Sequence, residues 1–273
     1  MSEPVFVAQR EVWRDASGFS SGGRAIPEES AVALSYDGGT FAVMMATPSD
    51  LEDFAVGFSL SEGVISSPQE ITALDVVALD AGVDIQMWLD GPRAEGLRQR
   101  RRHLAGPTGC GLCGIDSIAE AVRPAAVVGR GVTVSPQQVM VAMAALPPLQ
   151  ALNVATRAVH AAAFWHPQRG IVALREDVGR HNALDKLAGA LARQAQPGGE
   201  GVVLLTSRVS VEMVQKTAAI GASIIVSVSA PTALAVRTAQ AANITLCAIA
   251  RLDGFEVFSH AHRISSGASS DVA

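Results

Sequence analysis

Four short apolar runs in the second half of the chain, "GIVALRED", "GVVLLTS", "ASIIVSVSAPT" and "NITLCAIA", alternate with helix-patterned stretches. A strand with no polar face has to be covered on both sides. Strands alternating with helices supply that cover, which predicts a parallel sheet between two helical layers. The helix expected from Gly179 places Leu184, Leu187, Ala188 and Leu191 on one side. Residues 148–273 therefore read as a three-layer α/β/α domain.

Three polar clusters follow these runs directly: Arg175-Glu176-Asp177, Thr206-Ser207-Arg208 and Ser229-Ala230-Pro231-Thr232. Ligands of open α/β sheets bind along the carboxyl ends of the strands, where helix N-termini present free N–H groups. Arg175, Arg180 and Arg208 add positive charge suited to phosphate. His181 and Asn182, at a helix start beside two arginines, lean the same way. An anionic ligand, a nucleotide by preference, is expected there. Ser229 and Thr232 could equally cap helices. His160, in "VHAAAFW", could be a hydrogen-bonded core histidine or a ligand contact. Glu212 and Lys216, at i and i+4, read as a surface ion pair, and Asp185 and Lys186 as solvated.

The first half reads differently, as a β-rich α+β domain over residues 1–147. "AVALSYDGGTFAVMMA" is a hairpin around Asp37-Gly38-Gly39. "TPSDLEDFAVGFSLSEG" predicts a helix with Thr47 as N-cap and Leu51, Phe54, Ala55 and Phe58 on its apolar face, stopped by Gly63. Strands are expected over 71–79 and 83–89. Ser135-Pro136 should open another helix, and Pro147-Pro148 falls near the domain boundary.

Several classes are set aside. A net charge of −5 gives no reason to expect nucleic-acid binding. The N-terminus carries charges where a signal peptide needs an apolar core, so the expected location is the cytoplasm. Residues 217–236 carry no charge, yet Gly221, Ser229 and Pro231 punctuate that stretch as strand and helix rather than a membrane span. Cys247, in "ITLCAIA", reads as a small buried apolar residue.

"RQRRRHLAGPTGCGLCGIDS" fits two templates. As G-x-G-x-x-G it would need an apolar strand before it and an acid about 20 residues on; an arginine run precedes it and "VTVSPQQ" follows, so that match is accidental. As C-x-x-C, Cys110 and Cys113 remain open to zinc, dithiol redox chemistry or sulfur relay. No second C-x-x-C supports zinc. His160 is followed by Ala161, so the acid of a zinc deaminase is missing. Relay is favoured where a thiol pKa falls beside cations or at a helix N-terminus. Arg98, Arg100, Arg101 and Arg102 lie upstream, although a solvated loop also explains them, and "GIDSIAEAV" predicts a helix downstream.

Taken in order, "ATPSDLEDFAVGFSLSEGVI", "GCGLCG", "HAAA", "REDVGRHNALDKL", "TSRVSVEMVQK" and "SAPTALAV" resemble the formate dehydrogenase accessory sulfurtransferases, the FdhD/NarQ family, across residues 27–263. The resemblance implies a cytoplasmic homodimer that takes persulfide sulfur from a cysteine desulfurase. It passes that sulfur to the bis(molybdopterin guanine dinucleotide) cofactor, with molybdenum or tungsten, for formate dehydrogenase. Cys110 and Cys113 are thereby implied to be the catalytic pair. The second domain is implied to resemble the cytidine deaminase fold without its zinc site, so no resident metal is expected. Its edge, with His160, Arg175, Asp177, Arg180, His181, Asn182, Ser207, Arg208, Ser229 and Thr232, would hold the guanine dinucleotide part. A chaperone that binds this cofactor without sulfur chemistry is the alternative. Two positions depart from the family pattern. Thr156-Arg157-Ala158-Val159-His160 stands where the family pattern has T-G-G-x-H, which removes close backbone approach or positive φ there, and Ala46 stands where an arginine often precedes Thr-Pro.

Overall fold

The computed structural model describes residues 3–104 and 123–265. Its elements are β1 (Val5–Arg14), β2 (Gly18–Pro27), β3 (Ser30–Tyr36), β4 (Gly39–Ala46), α1 (Leu51–Ser61), β5 (Ile71–Leu79), β6 (Gly82–Leu89), α2 (Gly91–Leu104), α3 (Pro136–Ala144), α4 (Ala151–Thr156), β7 (His160–His166), β8 (Gly170–Asp177), α5 (Arg180–Arg193), β9 (Val202–Leu205), α6 (Val211–Ile220), β10 (Ile224–Ser227), α7 (Ala233–Ala241), β11 (Thr245–Arg251) and β12 (Gly254–Ser259). The result is a mixed α/β architecture with three sheets and seven helices among the described residues.

The apolar runs form a six-stranded sheet of order β12-β11-β10-β9-β7-β8. Alternate side chains serve opposite faces, as strand geometry requires. Ala162, Phe164, Val203, Leu205, Ile225 and Leu246 pack with Leu184, Leu187, Met213 and Ala235 of α5, α6 and α7. Ala163, Trp165, Val202, Leu204, Val226 and Cys247 pack with Val139, Ala142 and Met143 of α3. Both faces are thus covered as expected, and Cys247 is fully buried. The parallel expectation needs correction. The strands of the four apolar runs, β8, β9, β10 and β11, do share one direction, but the sheet is mixed: β7 is inserted between β8 and β9 antiparallel to both, and β12 is antiparallel to β11. The hairpin between β7 and β8 turns through His166 to Gly170 without a helix, so no crossover can keep them parallel.

In the first half, β4-β3-β6-β5 form a four-stranded sheet. The β3–β4 turn uses left-handed Asp37 and Gly38, the conformation that suits a two-residue hairpin. Leu51, Phe54, Ala55 and Phe58 of α1 pack on this sheet against Tyr36, Ile85 and Met87, each large side chain contributing about 1.5–3 kcal/mol. Helix α1 starts later than expected. Its N-cap is Asp50, in a left-handed conformation and without a side-chain cap bond; Thr47 is fully buried and bonded elsewhere. Ser135 forms a capping box with Gln138 at the start of α3, as its pairing with Pro136 suggested. The arginine run at 98–102 falls within α2 rather than in a loop.

A separate ribbon, β1 with β2, was not foreshadowed by the sequence. Residues 217–236 divide into the end of α6, β10 and the start of α7, and no helix among the described residues is long and apolar enough to cross a membrane.

The two larger sheets are joined by α1 crossing α5. Gly57 and Gly189 face each other at the crossing. A Cβ on Gly57 would overlap the Asp185 carbonyl, and one on Gly189 the Asp53 carbonyl. Only glycine permits backbones to approach so closely.

Candidate ligand edge

Strands β8, β9 and β10 end on one side of the six-stranded sheet, where β7 begins. His160 is paired with Asp177. Thr206 closes the register beyond β9 by donating its amide to the Ala161 carbonyl at 3.1 Å, while its Oγ1 accepts from the Ala161 amide at 2.8 Å. This edge gathers His160, Asp177, Ser207, Arg208 and Ser229. Helices α5 and α6 start there too. Neither Gly179 nor Ser210 supplies a side-chain cap, which leaves the first-turn N–H groups to other partners. Helix α7 differs: Thr232 Oγ1 accepts from the Ala235 amide at 3.2 Å, so Thr232 serves as its cap.

The open part of the edge centres on Arg180, His160 and His181. Arg180 Nε is buried and has no hydrogen-bond partner among the described residues. Burial, followed by the charge of Arg180, holds both histidines below the ordinary value of 6.5; Asp177 opposes the shift at His160 and Glu212 at His181. His181 Nε2 lies 3.4 Å from Glu212 Oε2, and Ser210 Oγ donates to the same oxygen at 2.6 Å. Arg208 is exposed. Ser207 is buried, its hydroxyl bonded to the Arg208 carbonyl at 3.2 Å. Ser229 is half-buried, and its amide donates to Ser227 Oγ.

Three other expected contacts face inward. Arg175 holds Asp53 through Nη2 at 2.6 Å and Nε at 2.8 Å, with Asp50 at 3.5 Å. Asp177 pairs with Lys186 at 2.6 Å, both side chains wholly buried. It also accepts from the Thr47 amide at 3.0 Å, the Gly179 amide at 2.7 Å and Asn182 Nδ2 at 3.0 Å. Asn182 Nδ2 reaches the Met45 carbonyl at 2.8 Å as well. These residues knit the first sheet's connections to the second half.

The solvated reading of Asp185 and Lys186 is overturned: they are 1% and 0% exposed. Asp185 pairs with Lys216 at 2.7 Å and accepts from Ser61 Oγ at 2.7 Å, and Lys186 Nζ also donates to the Thr47 carbonyl at 2.9 Å. The surface pair of Glu212 with Lys216 is overturned with it. Helix α6 turns Lys216 towards Asp185 and Glu62 and Glu212 towards His181. Helical spacing identified residues on one side of α6 but not the neighbours waiting there.

Cys110, Cys113 and the helix expected after them lie outside the described residues. The chain re-enters at Arg123, whose Nη2 donates to the Ser61 carbonyl at 2.7 Å and whose own carbonyl accepts from Gln215 Nε2 at 2.8 Å. At the position of the missing glycines, Arg157 itself adopts a left-handed conformation, φ 60°. Of the two losses expected there, positive φ is not lost: the backbone keeps it despite the side chain. Ala46 is fully buried at the end of β4. Among the described residues no group of three His, Cys, Asp or Glu is placed to hold a metal ion.

Residues 27–265 match the model of the FdhD/NarQ family. The chain is 54% identical to a protein of Agrobacterium fabrum named sulfur carrier protein FdhD, over 90% of this chain and 91% of that one. A Brucella abortus protein of the same name is 53% identical, covering 91% and 93%. Among solved structures, one described as a formate dehydrogenase accessory protein of Desulfotalea psychrophila superposes with a TM-score of 0.76 over 96% of this chain and 100% of that one. At 24% identity this likeness speaks for the fold.

Proposed function

The chain belongs to the FdhD/NarQ family, and from that premise we propose that it is a sulfur carrier in formate dehydrogenase maturation, working through Cys110 and Cys113. The observation that carries this reading is identity above one half, over nine-tenths of the chain, to proteins named sulfur carriers.

In the proposed reaction a cysteine desulfurase presents a persulfide. The thiolate of Cys110 or Cys113 attacks the outer sulfur, the S–S bond of the donor breaks, and the donor cysteine leaves as its thiolate. The carried sulfur is then delivered to bis(molybdopterin guanine dinucleotide), the substrate, with molybdenum or tungsten at its centre. If the second cysteine displaces it, the sulfur leaves as sulfide and a disulfide forms, which an external thiol reductant reopens. The edge holds the guanine dinucleotide part. Arg180 and Arg208 supply charge, the α5 and α6 N-termini supply N–H groups, and His160, His181 and Ser229 complete the lining. Cys113 lies ten positions before Arg123, a span of at most ~36 Å when extended, and Arg123 is fastened beside α6, whose first turn borders the edge.

The proposal extends to a cytoplasmic homodimer. It also takes the second half as a cytidine deaminase relative, a reading supported by the order β8-β7-β9-β10-β11 with β7 reversed. To test the carrier role, the protein is incubated with a cysteine desulfurase and cysteine, and its intact mass is measured. A gain of about 32 Da, one sulfur atom, on the peptide holding Cys110 and Cys113 is expected. No gain, under conditions that load a control acceptor, overturns sulfur carriage. A variant with both cysteines changed to alanine that still activates formate dehydrogenase leaves a cofactor chaperone in its place.

A further inference from the structure

The His181–Glu212–Ser210 chain defines what the edge can recognise, given the guanine-dinucleotide reading on which this inference rests. Glu212 Oε2 accepts from Ser210 Oγ at 2.6 Å and faces His181 Nε2 at 3.4 Å. A carboxylate has no proton to offer, so the ring nitrogen beside it carries the N–H. In the neutral imidazole the other nitrogen, Nδ1, is then an acceptor. The charged groups acting on His181 are Arg180 from its own helix and Glu212 and Lys216 from α6; burial and Arg180 favour the neutral ring. Arg180, the preceding residue, is a donor at every pH, and its Nε has no partner among the described residues. The first turn of α5 therefore contributes a donor from Arg180 and, from the neutral ring of His181, an acceptor, close enough for the charge of the one to act on the other.

We propose that Arg180 and His181 read the lactam edge, the adjacent C=O and ring N–H that guanine and pterin share, with Glu212 as the positioning residue that keeps His181 Nδ1 an acceptor. The guanidinium donates to the lactam oxygen and Nδ1 accepts from the ring N–H. Adenine presents an acceptor and a donor in the reverse order, so a base whose phosphates are already held cannot satisfy both. A site whose buried polar groups are left unpaired by the wrong base rejects that base.

The test measures binding of GDP, IDP, ADP and inorganic pyrophosphate to the full chain by titration calorimetry. GDP and IDP, which both keep the lactam, should bind alike, with ADP about tenfold weaker or more. In Glu212→Gln the advantage over ADP should shrink to about threefold or less, because an amide can donate or accept and no longer fixes the tautomer. Pyrophosphate binding should stay unchanged. Lowering the pH below 6.5, through the depressed folded value of His181, should erode the base preference as Nδ1 gains a proton, while pyrophosphate binding holds or tightens. Free pterin competing with GDP places the pterin lactam at the edge; failure to compete assigns the edge to guanine.

Equal binding of ADP and GDP by the unmodified chain, or a preference that survives Glu212→Gln, overturns the inference while leaving an anion-binding edge. Absence of binding by all four ligands overturns the edge reading itself. Should Glu212→Gln fail to fold, the nitrogen-15 shifts of His181 in the unmodified protein decide. A protonated Nε2 with bare Nδ1 supports the assignment, and the opposite tautomer refutes it.

Discussion

The block at residues 175–187 builds two regions that treat charge in opposite ways. At the junction of α1, α5 and α6 charges meet counter-charges, the two lysine pairs out of water and the Asp53 pairs partly in it. Asp177 meets Lys186 at 2.6 Å, Asp185 meets Lys216 at 2.7 Å, and Asp53 meets both Arg175 and Arg193 at 2.6 Å. At the candidate edge, within a turn or two of α5, Arg180 Nε has no partner among the described residues, and burial and the charge of Arg180 disfavour the charged form of two histidines. A charge paired at low dielectric is committed to the fold, because removing either partner strands the other. A donor left unsatisfied is available to a ligand. One block thus meets two demands, and the inward demand takes the larger share: Arg175, Asp177, Asn182, Asp185 and Lys186 serve the junction, Arg180 and His181 the edge.

The widest expected separation between the two regions is in stability. Lys186→Met removes the cation from a wholly buried pair and leaves Asp177 uncompensated, which should cost roughly 3–5 kcal/mol. Arg180→Ala removes a side chain with an unpartnered nitrogen and should change stability by less than about 1 kcal/mol. Urea unfolding of both variants checks this. Equal losses would mean that Arg180 belongs to the junction and that the edge is not open.

Acid should separate the regions less strongly. His160 and His181 are held below 6.5 in the folded protein, whereas the unfolded chain takes up protons at about 6.5. The native state therefore binds fewer protons in this window. The stability the two histidines contribute is fully present above 6.5 and is lost as pH falls through their folded values, with a slope of at most about 1.4 kcal/mol per pH unit for each. Thermal midpoints between pH 7.5 and 5.5 should decline, and His160→Asn with His181→Asn should flatten that decline. A slope that survives the double substitution would place the titrating groups elsewhere. Lys186 is displaced downward by burial from 10.5; its contribution is lost as pH falls from 10.5 towards its folded value.

What the sequence made legible follows from which neighbours a pattern can see. The unbroken apolar run in "GVVLLTS" and the Leu184–Leu187–Leu191 stripe required only a single sheet, and both were readable. Helix α5, however, is enclosed by the sheet on one side and by α1 and α6 on others, so Asp185, Lys186 and Gly189 are buried as well. Periodicity marks them as opposite the leucines, and that looks the same as solvent. Thr47 misled for a related reason: its cap-like position before Pro48 is satisfied instead by the Val178 amide, 131 positions away. The strand-end clusters do fall together at one edge of the sheet, but position along the chain could not distinguish Asp177, turned inward, from Arg180, whose Nε has no partner among the described residues. The β1–β2 ribbon escaped notice because "GFSSGGRAIP" lacks the branched and aromatic density of a strand.

The smallest effect expected lies at the turn that leads into the edge. The family resemblance implies two glycines where this chain has Arg157 and Ala158, and the structure separates the two positions. Arg157 sits at φ 60° and ψ 29° as the C-cap of α4, its amide bonded to the Asn153 carbonyl at 2.9 Å, with its side chain exposed. The left-handed conformation costs a side-chain-bearing residue roughly 1–2 kcal/mol, of which glycine's greater freedom when unfolded offsets about half. Arg157→Gly should accordingly stabilise the protein by about 0.5 kcal/mol. Ala158 is not among the residues with positive φ, so Ala158→Gly gains no relief and should lose about 0.5–1 kcal/mol to the unfolded chain. Opposite signs in a pair of denaturation curves would show that only the first glycine of the family pattern serves the backbone here. If both substitutions destabilise, the Arg157 side chain supports the edge in a way its exposure does not reveal.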